Sequence, residues 1–200
     1  MTKRNIFNLA LIFAFISLLL VSMVGFSNSC EEMYENIIRI RIIPNSDSAE
    51  DQELKLQIRD SILSASEKLF SDVKTMEDAL VVTNESLAHF KQIAQNVISV
   101  NGYDYNLSVE LREEFFDTRV YDDFTLPAGV YETAVFTVGE GKGKNWWCVV
   151  FPQVCVGTCS GKLTDSVSAA TAELAYSHQK YVIKFKTVEI FEKIKNYLDF

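Results

Sequence analysis

Tyr131-Glu-Thr-Ala-Val-Phe-Thr-Val138 runs into Gly139-Glu-Gly-Lys-Gly-Lys-Asn145, and that into Trp146-Trp-Cys-Val-Val-Phe-Pro152. Two flanks rich in β-branched and aromatic residues enclose a glycine-rich centre, so the stretch predicts a β-hairpin, with strands over 131–138 and 146–151. Glycine reaches backbone conformations that other residues avoid, which suits a tight tip. Neighbouring side chains on a strand point to opposite faces, so one of Trp146 and Trp147 enters the core and the other faces outward or under a loop, unless the helices and the tail bury both. The wider segment from Asp122 to Cys155 holds both tryptophans and two of the three prolines. Such residues are not freely exchanged.

Working outward, Tyr103, Tyr105, Leu107, Val109 and Leu111 alternate with polar residues, and Phe115 to Tyr121 reads as a further strand. Before them the period becomes helical. Met76, Ala79, Leu80, Leu87, Phe90, Ile93, Ala94 and Val97 form an apolar face, begun near Thr75 and ended by Asn101-Gly102. Leu54, Ile58, Ile62, Ala65 and Leu69 mark an earlier helix reaching about Phe70. Asp47 or Ser48 can cap it, and Glu50, Asp51 and Glu53 suit its positive first turn. Ile38, Ile40 and Ile42 alternate with Arg39 and Arg41 as a half-buried strand, broken at Pro44-Asn-Ser-Asp-Ser48. Beyond the hairpin, residues 160–180 are Ser/Thr/Ala-rich and helical in character. Residues 182–198 carry Val182, Phe185, Val188, Ile190, Phe191, Ile194 and Leu198 at helical spacing. The order predicts an α+β fold, a mostly antiparallel twisted sheet with a helical pair on one face. Without internal repeats or a low-complexity linker, residues 30–200 form one domain.

Residues 1–29 read as an export signal or membrane anchor. Lys3-Arg4 precedes an almost unbroken apolar run from Ile6 to Phe26, and Ser27-Asn28-Ser29 offers small residues for a cut before Cys30. A retained anchor is the alternative, because such a run can cross a bilayer about 30 Å thick. Either way the positive end stays on the cytoplasmic side and the body crosses. That body carries 17 basic and 27 acidic side chains, the whole chain having 19 and 27 with Lys3 and Arg4 ahead of every acid. An acidic surface repels nucleic acid and anionic lipid, so neither is an expected partner and the membrane is met only through the N-terminal segment.

No catalytic constellation emerges. A phosphate loop requires Ser or Thr after the lysine, but Lys144 is followed by Asn145, and Gly139-x-Gly-x-Gly143 lacks the spacing of a dinucleotide loop. His89 and His178 lie in no nucleophile-activating motif. Glu140 beside Asn145 and Trp146 resembles half of a glycan site without its second carboxylate. Four cysteines in an exported chain invite pairing. Cys148, Cys155 and Cys159 have no nearby histidine to complete a zinc site. No cofactor or metal is expected. An outward Trp beside a glycine-rich tip can anchor a partner, and the Asn45–Ser48 turn can cap a helix or carry recognition.

Two distant blocks carry a resemblance. Ile38-Arg-Ile-Arg-Ile42 leads into Asn45-Ser-Asp-Ser48 and Asp51-Gln-x-Leu-Lys-Leu-x-Ile-Arg-Asp60. Pro127-Ala-Gly-x-Tyr131 leads into Gly139-Glu-Gly-x-Gly-x-Asn-Trp-Trp-Cys148, Phe151-Pro152 and Cys155. Together, over roughly residues 37–155, they resemble the stage II sporulation protein R family. Pro44 departs from its pattern, where a small residue is expected, as does a cysteine in the tail beyond about residue 157. The resemblance implies an intercompartmental signal, made in the forespore and exported into the space between forespore and mother-cell membranes. There such proteins trigger a membrane-embedded, aspartic-type protease on the mother-cell side, which removes the pro-sequence of a sigma factor. This chain would be the activator and not an enzyme, and it has no Asp-Thr/Ser-Gly motif. The resemblance favours a Cys148–Cys155 disulfide. Contact with the protease is assigned to Asn45, Ser46, Asp47, Gly141, Gly143, Asn145, Trp146 and Trp147. The competing readings are a wall-associated enzyme or glycan-binding module, and a structural envelope protein.

Overall fold

The computed structural model describes residues 3–121, 123–154 and 163–198, apart from the side chains at 19, 20, 178 and 179. A long helix α1 (Lys3–Glu35) leads into strand β1 (Ile38–Ile43) and a helical pair, α2 (Ala49–Leu69) and α3 (Met76–Val100). Strands β2 (Leu107–Phe116), β3 (Arg119–Val120), β4 (Thr125–Leu126), β5 (Gly129–Val138) and β6 (Trp146–Phe151) follow, then helices α4 (Ala169–Tyr176) and α5 (His178–Leu198). The fold is α+β, with a four-stranded sheet in the order β2-β5-β1-β6 and a separate β3–β4 pair.

The sheet is mixed. β5 pairs antiparallel with β2, β1 pairs antiparallel with β6, and β1 runs parallel to β5. The expected 131–151 hairpin is therefore corrected. Both strands form where expected, but β1 lies between them, with Ile40 opposite Ala134 on one side and Cys148 on the other. A strand whose alternate isoleucines and arginines both find buried places wins the centre of the sheet over a local hairpin. The expected strand from Phe115 to Tyr121 is also redrawn. Phe115 and Phe116 end β2, and Arg119–Val120 alone continues as β3.

Ile38, Ile40 and Ile42 face α2 and α3, where Leu54, Ile58, Ile62, Phe90, Ala94 and Ile98 complete the first core. Full burial of each isoleucine is worth about 1.5–3 kcal/mol. Ser48 and Thr75 cap the two helices by accepting from the Asp51 and Asp78 amides. Asn101 closes α3, and Gly102 (φ +81°) turns the chain away. The opposite face of the sheet is also covered. Phe26, Cys30 and Met33 of α1 pack there with Tyr131, Val149 and Phe185.

Candidate functional site

Where β1 ends, Pro44 to Ser48 must reverse the chain into α2. Asp51 organises this turn from within the first turn of the helix. Its Oδ2 accepts from Ser46 Oγ at 2.6 Å and from Asn45 Nδ2 at 2.9 Å, while its amide donates to Ser48 Oγ at 3.1 Å. Burial opposes ionisation of Asp51. The donors Ser46, Asn45, Tyr105 and Ser48 outweigh it and hold the carboxyl below its ordinary range.

Between β5 and β6 the chain must pass over the end of β1, and the glycine-rich segment makes that crossing. It lies directly on the Pro44–Ser48 turn. Glu140 N donates to Asn45 Oδ1 at 3.0 Å and Lys144 N to Asp47 Oδ1 at 2.6 Å. Lys142 N donates to the Asn45 carbonyl at 3.2 Å and Gly143 N to the Pro44 carbonyl at 3.1 Å. Pro44, which breaks the expected small-residue pattern, thus serves through a carbonyl that any residue supplies. A Cβ on Gly143 would stand 2.1 Å from the Ser46 carbonyl oxygen. Glycine is required there by contact with backbone, whereas Gly139 (φ +58°) and Gly141 (φ +60°) also occupy left-handed conformations.

Asn145 and Lys55 fasten the far side. The amide of Asn145 is oriented by its surroundings: its oxygen accepts from Arg41 Nη2 at 2.7 Å and Nε at 3.1 Å, and its nitrogen faces the Gly143 carbonyl at 3.2 Å. Arg41 Nη1 reaches Glu114 on β2 at 2.5 Å, and Glu114 also takes Arg112 at 2.7 Å. Burial works against the Glu114 charge, but Arg41 and Arg112 prevail and hold it below the usual carboxylate range. Lys55 Nζ donates to the Lys144 carbonyl at 2.9 Å. Burial lowers the Lys55 pKa, Asp47 opposes that effect and Arg59 adds to it.

Seven of the eight residues assigned to partner contact thus gather at one end of the sheet: Asn45, Ser46 and Asp47 from the turn, Gly141 and Gly143 from the crossing loop, and Asn145 and Trp146 at its exit. Trp147 lies beside them in sequence but faces the other layer. Trp146 packs against the α2–α3 core with the Arg59 guanidinium 5.6 Å from its ring, and Trp147 packs in the second core under Arg119 at 3.8 Å. Both are half-buried, so neither is a freely projecting anchor. The outermost side chains are Asp47, Glu140, Lys142 and Lys144. Glu140 and Lys142 pair at 2.7 Å, which holds the carboxyl below and the ammonium above their ordinary values. Sequence reasoning missed Arg41, Asp51 and Lys55 as members of this assembly. All three stood within the blocks that carry the resemblance, but Arg41 was read only as alternating with isoleucines and Asp51 only as suiting the positive first turn of its helix.

The site is a clasped pair of loops with a charged crest, suited to binding. Among the described residues no group of three His, Cys, Asp or Glu side chains is placed to hold a metal, and His89 stands exposed on α3. Cys148 is engaged in a disulfide and Cys30 is a buried free thiol. The expected pairing with Cys155 falls on a residue outside those described, as does Cys159.

The family model for stage II sporulation protein R matches residues 34–160, which contain the whole clasp. Stage II sporulation protein R of Bacillus subtilis (strain 168) is 38% identical over 121 residues, 60% of this chain and 54% of that protein. The chain thus spans about half the length of that curated relative. No solved structure matches.

Proposed function

Because the chain belongs to the stage II sporulation protein R family, we propose that it is a sporulation signal that crosses a membrane and activates a protease embedded in the facing one. The protease is of aspartic type and processes the precursor of the mother-cell sigma factor. The space between forespore and mother-cell membranes is where the two meet. One observation supports a binding role above others. The two sequence blocks that carry the family resemblance, about a hundred residues apart, close on each other as one rigid surface with a charged crest. A catalyst would need converging reactive groups, whereas an activator needs a shape that one state of its target fits better than the other. Asp47, Glu140, Lys142 and Lys144 would touch the protease, while Asn45, Ser46, Gly141, Gly143 and Asn145 fix the shape that presents them. Trp146 and Trp147 brace that shape from the two faces of β6. The Cys148–Cys155 disulfide belongs to this proposal as a tie from Cys148 of β6.

The test is co-expression with the candidate membrane protease and its sigma-factor precursor, following precursor cleavage by gel. A control whose export is blocked by Leu11→Arg and Leu18→Arg keeps every residue of the body, both changes lying in the exposed part of α1. Cleavage is expected from the exported chain alone, and from neither the control nor a stably folded Glu140→Lys/Lys142→Glu/Lys144→Glu variant. No cleavage, with exported folded chain and competent protease, defeats the proposal. Binding to purified peptidoglycan would then favour the wall-associated reading.

A further inference from the structure

Helix α5 has two apolar faces, and the fold uses one of them. Phe185 and Val188 point into the second core and are buried there. On the opposite side, at helical spacing, stand Ile183, Ile190, Ile194 and Tyr197, with Phe191 and Leu198 beside them. These six side chains are 54–82% exposed. A row of this length is more than the scatter of single apolar residues that any protein surface carries. The contacts of α1 with Phe185 and Lys184 lie on the other side of the helix, so the row is open whether or not residues 1–29 remain.

Lysines border the row on both edges, Lys186 and Lys193 along one and Lys184 and Lys195 along the other. In all α5 holds five lysines and two glutamates, a net +3 in a chain of −8. Both glutamates turn away from the row, Glu189 being buried and Glu192 half-buried. Lys186 and Lys193 pair with Glu189 at 2.9 and 3.0 Å, and Lys193 also with Asp117 at 2.8 Å. Their ammonium ends stay exposed, and their long stems can lie along an apolar surface while the charge reaches outward. A second copy of α5 laid on this face would bring lysine rows onto lysine rows, which like charge opposes. A bilayer with anionic headgroups suits both features, because acyl chains accept the isoleucines and headgroups the lysines. The acidic charge of the whole chain argues against such a surface. At physiological ionic strength, however, charges more than about 8 Å away are largely screened, so the local sign of α5 governs.

We propose that α5 lies along an anionic phospholipid surface, with its isoleucine row among the acyl chains and its lysines at the headgroups. The domain is then held reversibly at a bilayer by its C-terminal helix. The proposal rests on the export reading above, which brings the body between two membranes. The test introduces Tyr197→Trp into the full chain and adds vesicles of phosphatidylcholine, with or without phosphatidylglycerol. Both kinds carry brominated acyl chains, which quench indole emission on contact. The natural chain supplies the background from Trp146 and Trp147. The added indole reports on α5 alone, so the state of residues 1–29 does not enter. Quenching beyond that background is expected with phosphatidylglycerol, several-fold less without it, and none once Ile190→Ser and Ile194→Ser are added. Both isoleucines are exposed, so those changes spare the core. Quenching no greater than the background, or equal in the two kinds of vesicle, overturns the proposal. So does a concentration-dependent dimer, abolished by the same two serines, in place of lipid contact, which would assign the row to a second copy. Precursor cleavage is not read here, so failure leaves the activator proposal standing, and failure of activation does not touch the lipid contact.

Discussion

Replacing Gly143 by alanine tests whether the crossing loop is clasped to the turn for steric reasons. The added Cβ would lie 2.1 Å from the Ser46 carbonyl oxygen, 2.6 Å from its carbon and 2.7 Å from Pro44 Cγ. Ordinary contact begins near 3.4 Å, so turn and loop must part by about 1 Å. That separation stretches Lys142 N to Asn45 O, Gly143 N to Pro44 O and Lys144 N to Asp47 Oδ1 together. With each bond worth about 0.5–1.5 kcal/mol net, the cost is about 2–4 kcal/mol. This is a large share of a domain stability of about 5–15 kcal/mol. Gly102 is the control, having φ +81° but open space around its Cβ position. Gly102→Ala bears only the left-handed penalty, about 1–2 kcal/mol. Guanidinium unfolding of the full chain in detergent, read by tryptophan emission, measures both variants, because Trp146 and Trp147 adjoin the loop. Gly143→Ala must be the more damaging. If it costs no more than Gly102→Ala, close packing of loop on turn is not what demands glycine at 143.

Three further outcomes are expected. Asn145→Leu leaves Arg41 Nη2 and Nε without their acceptor; it should cost about 1–3 kcal/mol in the same unfolding assay, and a cost below about 0.5 kcal/mol would show the contact to be idle. Arg39 is fully buried between Phe116 and Tyr131, hydrogen-bonded to Tyr121 at 2.8 Å, with Nε and Nη1 lacking a hydrogen-bond partner among the described residues. Arg39→Met should therefore stay within about 2 kcal/mol of the natural chain in either direction, while Arg39→Ala loses about 3–5 kcal/mol; equal losses for both would refute this. Asp51 and Glu114 have depressed folded-state pKa values, so their contribution is present above the unfolded value of about 4 and is lost as pH falls through the folded values below it. Amide protection factors of residues 139–145, taken against the intrinsic exchange rate at each pH, should fall in that acidic range for the natural chain, and Asp51→Asn should remove part of that fall; protection constant with pH excludes the carboxylates as the clasp.

Local signals in the sequence were sufficient for the helices and the main strands, and insufficient for the break after Phe116, the β3–β4 pair and the sheet order. The helical pair, its Ser48 and Thr75 caps and the stop at Asn101-Gly102 all follow from periodicity and side-chain chemistry within a few residues. The insertion of β1 between β5 and β6 does not, because a glycine-rich segment between two strands has the same composition whether it closes a hairpin or bridges a third strand. Alternation of Ile and Arg in β1 was the trace of that placement, since a strand packed on both faces must cover both sets, and Arg39 is buried while Arg41 is half-buried. The clasp was half legible. Asn45 to Asp47 and the glycines could be singled out, but their meeting depends on pairings such as Lys144 with Asp47 that no spacing reveals. The packing of both tryptophans was one of two open readings, because alternation along β6 does not reveal that a packed layer lies on each side.

The central place of β1 also dictates when this chain can fold. Arg39 pairs with Thr133 and Ile42 with Trp146, so the first strand waits for partners roughly a hundred residues behind it. If the chain is delivered across a membrane from its N-terminal end, as proposed above, β1 stays half-paired until β6 emerges. Such high contact order makes folding slow and late, which keeps the polypeptide threadable during passage. It also leaves a sticky intermediate that must not meet its own copies. A truncated product ending before Trp146 would lack one edge of that strand's pairing and be fated for degradation. On the proposed route, only a chain that has crossed almost entirely could assemble the clasped surface, and arrival and competence would coincide.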